Sequence, residues 1–192
     1  FLATAYLPTP ESNQEKVLIN LQNGTFQIEK NGKTKLRQAD RNDFLTYQLK
    51  FPYDEKAKAP LFLKYLNRVL PDATIQNIVA EYLGYVFIKH GSQSLKIEKM
   101  LVLYGGGANG KSVLFDIINA ILGEENVSSF SLQELTDNSG YYRAMIANKL
   151  VNYASEINGK LETSNFKKMV SGEPIPARLP YGKPMTLKQY AK

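Results

Sequence analysis

Hydrophobic positions near the start of the chain form short runs that are typical of β-strands. Residues 17–21 and 25–29 are β-prone and are separated by Gln22-Asn23-Gly24, and a second Asn-Gly pair follows at Asn31-Gly32. Asn-Gly readily adopts the positive φ angles of tight hairpin turns. The pattern therefore predicts a small β-meander.

Beyond Pro60 the hydrophobic spacing becomes helical. Apolar residues recur every three or four positions in residues 62–70 and again, after Pro71, in residues 75–86. This spacing predicts two amphipathic helices. The periodicity lapses at residues 90–94, where small polar residues take over. We therefore expect residues 1–94 to form a β-meander plus a helical domain, and residues 95–192 to form a second domain.

The second half changes to an order of strand, glycine loop, helix, strand, helix and strand. Residues 100–104 form the first predicted strand, and Gly123 is suited to end the helix that follows the glycines. Residues 149–155 read as a mostly buried strand that ends at Glu156. This order predicts an α/β unit with a parallel sheet.

Composition and charge restrict the possible functions. The 192 residues are 43% hydrophobic and 22% charged, as in globular proteins of one large or two small domains. The absence of cysteine and the single His90 exclude disulfides, thiol nucleophiles and histidine-based metal sites. The sequence has no membrane-spanning apolar run or secretory signal, so we expect a cytoplasmic protein. A net charge of +6 favours polyanionic partners.

The most informative motif lies between the first predicted strand and the helix. Gly105-Gly106-Gly107-Ala108-Asn109-Gly110-Lys111-Ser112 matches the pattern of glycine, four residues and Gly-Lys-Ser. Four such positions arise by chance in about one chain of this length in a hundred. Glycine-rich backbone can curve tightly and aim N–H groups at phosphate oxygens, and the helix N-terminus adds a favourable dipole.

The motif assigns separate roles to its last residues. Lys111 would place its ammonium on the outer phosphates of a nucleoside triphosphate, and Ser112 would give its hydroxyl oxygen to Mg²⁺. Residues 105–112 and Leu114 are the predicted nucleotide contacts. Glu156 is the predicted carboxylate that holds magnesium or orients the attacking water, with Ser155 assisting. Lys111 and Glu156 are therefore the predicted catalytic residues.

Three stretches of the sequence, one of which contains the glycine motif, are specific enough to suggest a family. They are residues 103–112, residues 149–157, and residues 166–178 with the following Tyr181-Gly182-Lys183-Pro184. In these stretches the chain resembles the superfamily III helicases of the phage and plasmid primase type, a group that includes the poxvirus primase-helicases. Residues 19–85 resemble the helical domain that precedes the ATPase in this family.

The resemblance implies an AAA+ type ATPase core, a homo-hexameric ring and ATP-driven movement along single-stranded DNA, with a primase domain or replication partner in the complete protein. Relatives often carry paired acidic residues where this chain has Ser155-Glu156. Their sensor asparagine and trans-acting arginine lie beyond the third stretch. Because the chain starts at Phe1 and stops within a strand-like pattern, we expect a piece of a longer protein that hydrolyses ATP poorly alone.

DNA contacts are predicted in the third stretch. Lys183 follows Tyr181-Gly182 at a hairpin tip, and a flexible cation can follow phosphates without reading bases. Arg178 is a second candidate for DNA, phosphate or an adjacent subunit. Arg143, which follows Tyr141-Tyr142, is interpreted as a surface arginine beside a helix, with contact to an active site as the alternative.

The leading hypothesis is an ATP-dependent DNA helicase segment that acts in replication of a phage, plasmid or other mobile element. Two alternatives stay open at this point. A small-molecule kinase shares the phosphate loop but needs a substrate pocket and lid arginines, and a non-catalytic module would use bound nucleotide only for replication assembly.

Overall fold

A computed structural model describes residues 16–88, 97–157 and 161–192. The chain divides into two compact units, Phe1–Tyr53 and Asp54–Lys192. The domain boundary predicted between residues 94 and 95 lies outside the described residues. The two predicted helices before that boundary belong to the second compact unit, whereas the β-meander belongs to the first.

The first unit contains the predicted β-meander. Strands β1 (Lys16–Leu21), β2 (Gly24–Glu29) and β3 (Thr34–Arg37) form an antiparallel sheet in the order β1-β2-β3. Gly24 has a φ of 139°, and a Cβ there would lie 2.2 Å from the carbonyl oxygen of Arg37. The close approach explains why the turn requires glycine.

The second unit begins with the two predicted helices, which the structure confirms. Helix α1 spans Pro60–Val69 and helix α2 spans Ala73–Tyr85. Proline suits the first position of α1, where its missing N–H has no helical partner. Asp72 caps α2 by accepting a hydrogen bond from the N–H of Thr74 at 2.7 Å.

The helix after the glycines is also confirmed, but the strands on either side differ from the prediction. Helix α3 spans Lys111–Leu122 and ends at Gly123. Residues 100–104 form no strand, and no strand of the described ranges pairs with them. The predicted strand at residues 149–155 is reduced to β5 (Val151–Asn152), which pairs in parallel with β4 (Val127–Ser128).

Other elements in the described part of this unit include three short α-helices and an antiparallel hairpin. Helices α4 (Leu132–Thr136), α5 (Tyr141–Met145) and α6 (Thr163–Ser171) precede strands β6 (Ile175–Arg178) and β7 (Pro184–Leu187). These elements share one core, made of Leu135, Ile146, Ile175, Ala177, Leu187, Tyr190 and Ala191.

The complete P-loop ATPase core of AAA+ type stays a prediction. The described residues contain the helix after the glycine loop and a two-stranded parallel ladder, which do not by themselves define such a core. None of the helices in the described ranges is long and apolar enough to cross a membrane.

Candidate phosphate-binding loop

The glycine motif forms a tight irregular loop that leads directly into α3. Ala108 has a φ of 56° and Gly110 a φ of 90°, so both adopt the left-handed conformation. Gly110 is the N-cap of α3, and among the described residues no side chain caps this end by a hydrogen bond. The first N–H groups of a helix lack helical partners, and they provide a site for an anion.

The side chain of Lys111 folds back into the loop. Its Nζ atom donates to the carbonyl oxygens of Gly105 and Gly106, both at 3.1 Å, and to Oδ1 of Asn109 at 2.8 Å. These acceptors are neutral, whereas phosphate oxygens are charged and form stronger hydrogen bonds with ammonium groups. A bound triphosphate would therefore compete well for the same donor.

The side chain of Asn109 folds over the first glycine of the motif. A Cβ on Gly105 would lie 2.2 Å from Nδ2 of Asn109 and 3.9 Å from Nζ of Lys111. Gly106 and Gly107 are exposed, and a Cβ on either would meet no atom within 4 Å. The requirement for glycine thus falls on Gly110, where φ is 90° and Cγ1 of Val69 lies 2.8 Å from the position of a Cβ. At Gly105 only the flexible side chain of Asn109 would have to move.

The two other predicted nucleotide contacts on α3 differ in their surroundings. Ser112 is exposed on the first turn, where its hydroxyl is accessible. Leu114 is buried, with 4% of its surface exposed, and its N–H donates to the carbonyl oxygen of Gly110 at 3.0 Å. The N–H of Leu114 is therefore engaged within the helix rather than directed at a phosphate.

A contact with α1 holds the end of the loop, and the sequence analysis did not identify it. The hydroxyl of Tyr65 donates to the carbonyl oxygen of Gly110 at 2.8 Å. A Cβ on Gly110 would come within 2.8 Å of Cγ1 of Val69, one helical turn further along α1. Burial raises the pKa of Tyr65, so its hydroxyl keeps the proton that it donates.

The strand that leads to Glu156 packs against the same helix. The rings of Phe115 on α3 and Tyr153 after β5 are stacked, with centroids 4.3 Å apart. Beside them is a mainly apolar cavity of about 400 Å³, whose lining includes Gly105, Lys111 and Ser155. Glu156, the next residue, is exposed. The structure therefore brings the loop and the residue before Glu156 to one cavity.

The predicted magnesium ligands offer oxygen atoms, the donor type that Mg²⁺ prefers. The described residues contain no group of three histidine, cysteine, aspartate or glutamate side chains that could hold a metal. Mg²⁺ in nucleotide sites needs no such cluster, because it keeps several waters and binds phosphate oxygens with one or two protein oxygens. The exposed hydroxyl of Ser112, on the first turn of an uncapped helix, is a suitable oxygen.

The predicted DNA-contacting residues lie on the β6–β7 hairpin. Lys183 is exposed in the loop that joins the two strands, which confirms the predicted hairpin tip. Arg178 is exposed at the end of β6, and its Nε donates to the carbonyl oxygen of Gly182 at 3.1 Å. Tyr181, between them in the sequence, is fully exposed and has a φ of 58°. The hairpin therefore presents two cations and an aromatic ring.

Arg143 is not the surface residue that the sequence suggested, because only 3% of it is exposed. Its Nε donates to the carbonyl oxygen of Pro176 at 2.7 Å, and its Nη1 donates to those of Leu135 and Asp137. Burial lowers the pKa of Arg143, and nearby Asp137 opposes that shift. Its guanidinium joins the end of α4 to β6, beneath the hairpin.

Comparison with known families supports the upstream resemblance at a coarse level. Residues 5–71 match the family described as D5 N terminal like. That domain is the N-terminal region of phage and viral primase-helicase proteins, so the match points to this family of replication proteins.

The downstream half, which carries the glycine loop and the hairpin, matches a different description. Residues 103–192 match a family of unknown function, DUF5906. A search of curated proteins gave no match.

Proposed function

We propose that this chain is the nucleotide-binding segment of an ATP-dependent DNA helicase that acts in the replication of a phage, plasmid or other mobile element. The observation that carries the proposal is the glycine loop ahead of the uncapped N-terminus of α3, with the ammonium of Lys111 held inside it. The D5 N terminal like match supports a role in replication.

In the proposed mechanism the loop binds the triphosphate of ATP through backbone N–H groups at the start of α3. The ammonium of Lys111 exchanges its loop acceptors for oxygens of the outer phosphates. Ser112 would hold Mg²⁺ through its hydroxyl oxygen, and the ion would supply positive charge that neutralises the phosphates. These contacts would stabilise the negative charge that the phosphate oxygens carry in the transition state.

Glu156 acts in this mechanism as the group that orients the attacking water. The stacked rings of Phe115 and Tyr153 hold the residues before Glu156 against α3, and Ser155 lines the same cavity as Lys111. An exposed carboxylate at this place can accept a proton from water or bind Mg²⁺ through water.

Single-stranded DNA is the proposed polymer that the motor moves along. Lys183 and Arg178 on the hairpin would contact its phosphates, which carry no sequence information. In the complete protein we propose a homo-hexamer that works in the cytoplasm of a bacterial host or a virus-infected cell, together with a primase domain or replication partner.

The test of the proposal is ATP turnover by the complete parent protein, measured with and without single-stranded DNA. We expect turnover that DNA stimulates. Nucleotide binding without turnover would instead indicate a non-catalytic assembly module. Phosphoryl transfer to a nucleoside rather than to water would indicate a small-molecule kinase. Either result would refute the helicase proposal.

Replacement of Lys183 by alanine in the parent protein is expected to weaken DNA stimulation and to leave nucleotide affinity unchanged. Loss of one phosphate contact reduces affinity at all sequences alike and lowers the salt dependence of DNA binding by about one unit of slope. DNA-binding isotherms at several salt concentrations measure the DNA affinity and its salt dependence.

Lys188→Ala is the matched control, because Lys188 is also exposed but follows β7 rather than lying in the hairpin loop. We expect this control to keep the natural DNA stimulation and salt slope. Equal behaviour of Lys183→Ala and Lys188→Ala would remove the assigned role of the hairpin lysine.

A further inference from the structure

The glycine motif is held from outside by a residue that no phosphate-loop pattern contains. The hydroxyl of Tyr65, 45 residues before Gly110, donates to the carbonyl oxygen of Gly110 at 2.8 Å. That oxygen also accepts the first hydrogen bond of α3, from the N–H of Leu114 at 3.0 Å. One carbonyl thus receives two donors at the junction between loop and helix.

The geometry of the peptide bond gives this contact a consequence for the loop. The carbonyl of Gly110 and the N–H of Lys111 belong to one planar trans peptide, in which they point in opposite directions. When Tyr65 fixes the carbonyl on the side of α1, the N–H of Lys111 is fixed on the opposite side, away from α1. The Lys111 N–H is among those that a phosphate would use at this helix end.

Packing against α1 restricts the same peptide sterically. Gly110 has a φ of 90°, and the space for a Cβ is occupied by Cγ1 of Val69, at 2.8 Å, and by the hydroxyl oxygen of Tyr65, at 3.3 Å. The ring of Tyr65 is itself half-buried and lies near Phe62, with centroids 6.4 Å apart. The tyrosine therefore contacts Gly110 from a supported position.

We propose that Tyr65 is a positioning residue for the phosphate loop, one that holds the Gly110–Lys111 peptide ready for the phosphates of a nucleoside triphosphate. The inference rests on the proposed function and extends it by assigning α1 a part in nucleotide binding. Because α1 lies outside the motif, nucleotide affinity depends on the docking of α1 as well as on the loop sequence.

The test is Tyr65→Phe in the 192-residue chain, which deletes the hydroxyl and keeps the ring. Binding is measured by calorimetry with ATP and, separately, with inorganic tripolyphosphate, both with Mg²⁺. We expect the dissociation constant of each ligand to rise by about three- to tenfold, as for the loss of one hydrogen bond. The factor should be the same for both ligands, because Tyr65 acts on the phosphate-binding backbone and not on the base.

Tyr47→Phe is the matched control, because the hydroxyl of Tyr47 also donates to a backbone carbonyl, that of Leu18 at 3.1 Å, in the other compact unit. We expect this variant to bind both ligands as the natural chain does. Thermal unfolding without ligand is measured for both variants, so that a general loss of stability is recognised separately from a loss of affinity.

The outcomes separate the inference from the proposed function. If the natural chain binds neither ATP nor tripolyphosphate, the phosphate-loop function itself fails. If the natural chain binds both ligands and Tyr65→Phe binds them equally well, the positioning role of Tyr65 is refuted. The role is likewise refuted if only ATP is affected, or if Tyr47→Phe loses as much affinity as Tyr65→Phe.

Discussion

Lys111→Ala in the complete parent protein is expected to lower DNA-stimulated ATP turnover by two to three orders of magnitude, about the loss seen when one preorganised transition-state donor is removed. The ammonium of Lys111 lies among the carbonyl oxygens of Gly105 and Gly106 and the side chain of Asn109. Among these groups only Lys111 carries a positive charge for the outer phosphates. Steady-state turnover with saturating single-stranded DNA measures the effect.

Glu156→Gln in the same assay separates binding from hydrolysis. Glutamine has nearly the same shape but cannot accept the proton of the attacking water, so we expect turnover to be lost while nucleotide affinity is retained. Lys58→Ala and Glu55→Gln are the controls, since both residues are exposed between the first unit and α1. Turnover that survives both Lys111→Ala and Glu156→Gln would exclude the assigned site.

Arg143→Leu is expected to reduce the free energy of unfolding of the second unit by about 3–5 kcal/mol, since each buried acceptor left without a partner costs about 1–3 kcal/mol. The substitution removes the donors to the carbonyls of Leu135, Asp137 and Pro176 at a residue that is only 3% exposed. Urea unfolding of the 192-residue chain, followed by circular dichroism, measures the loss.

Arg178→Leu provides the comparison for this stability measurement. Arg178 is an exposed arginine on β6, the strand whose Pro176 carbonyl accepts the hydrogen bond from Nε of Arg143. We expect this control to change the free energy of unfolding by less than about 1 kcal/mol. Arg143→Lys should fall between the two, since lysine keeps the charge but lacks the planar fork of donors. Similar losses for Arg143→Leu and Arg178→Leu would contradict the structural role of Arg143.

Those parts of the fold that depend on neighbours in the sequence could be predicted from the sequence. Helices α1 and α2 follow from apolar spacing punctuated by prolines, and α3 from the same spacing between glycines. The first hairpin of the meander turns at Gly24, where the Asn-Gly pair predicted a turn. In each case the signal lies within a few residues of its effect.

The features that the sequence analysis missed depend on distant residues. Residues 100–104 have the composition of a strand, but a strand also needs a hydrogen-bonded neighbour, which no local pattern specifies. Arg143 was misjudged because its acceptors include Pro176, 33 residues away. Tyr65 was overlooked because its partner, Gly110, is 45 residues away.

The candidate site divides in the same way. The linear motif specified the loop and the start of α3, since a phosphate loop is contiguous in sequence. The position of the loop relative to the segment before Glu156 depends on the stacking of Phe115 on Tyr153. These two residues are 38 positions apart in the sequence. Spacing alone does not predict that contact.

The β6–β7 hairpin separates residues that support the fold from residues that are accessible for binding. Ile175, Ala177 and Leu187 face the core, so substitutions at these positions are expected to reduce stability. Tyr181 and Lys183, in the exposed loop, are free of that constraint. Changes in this loop could therefore alter whatever it binds, single-stranded DNA in the proposal above, while the strands that support it stay intact.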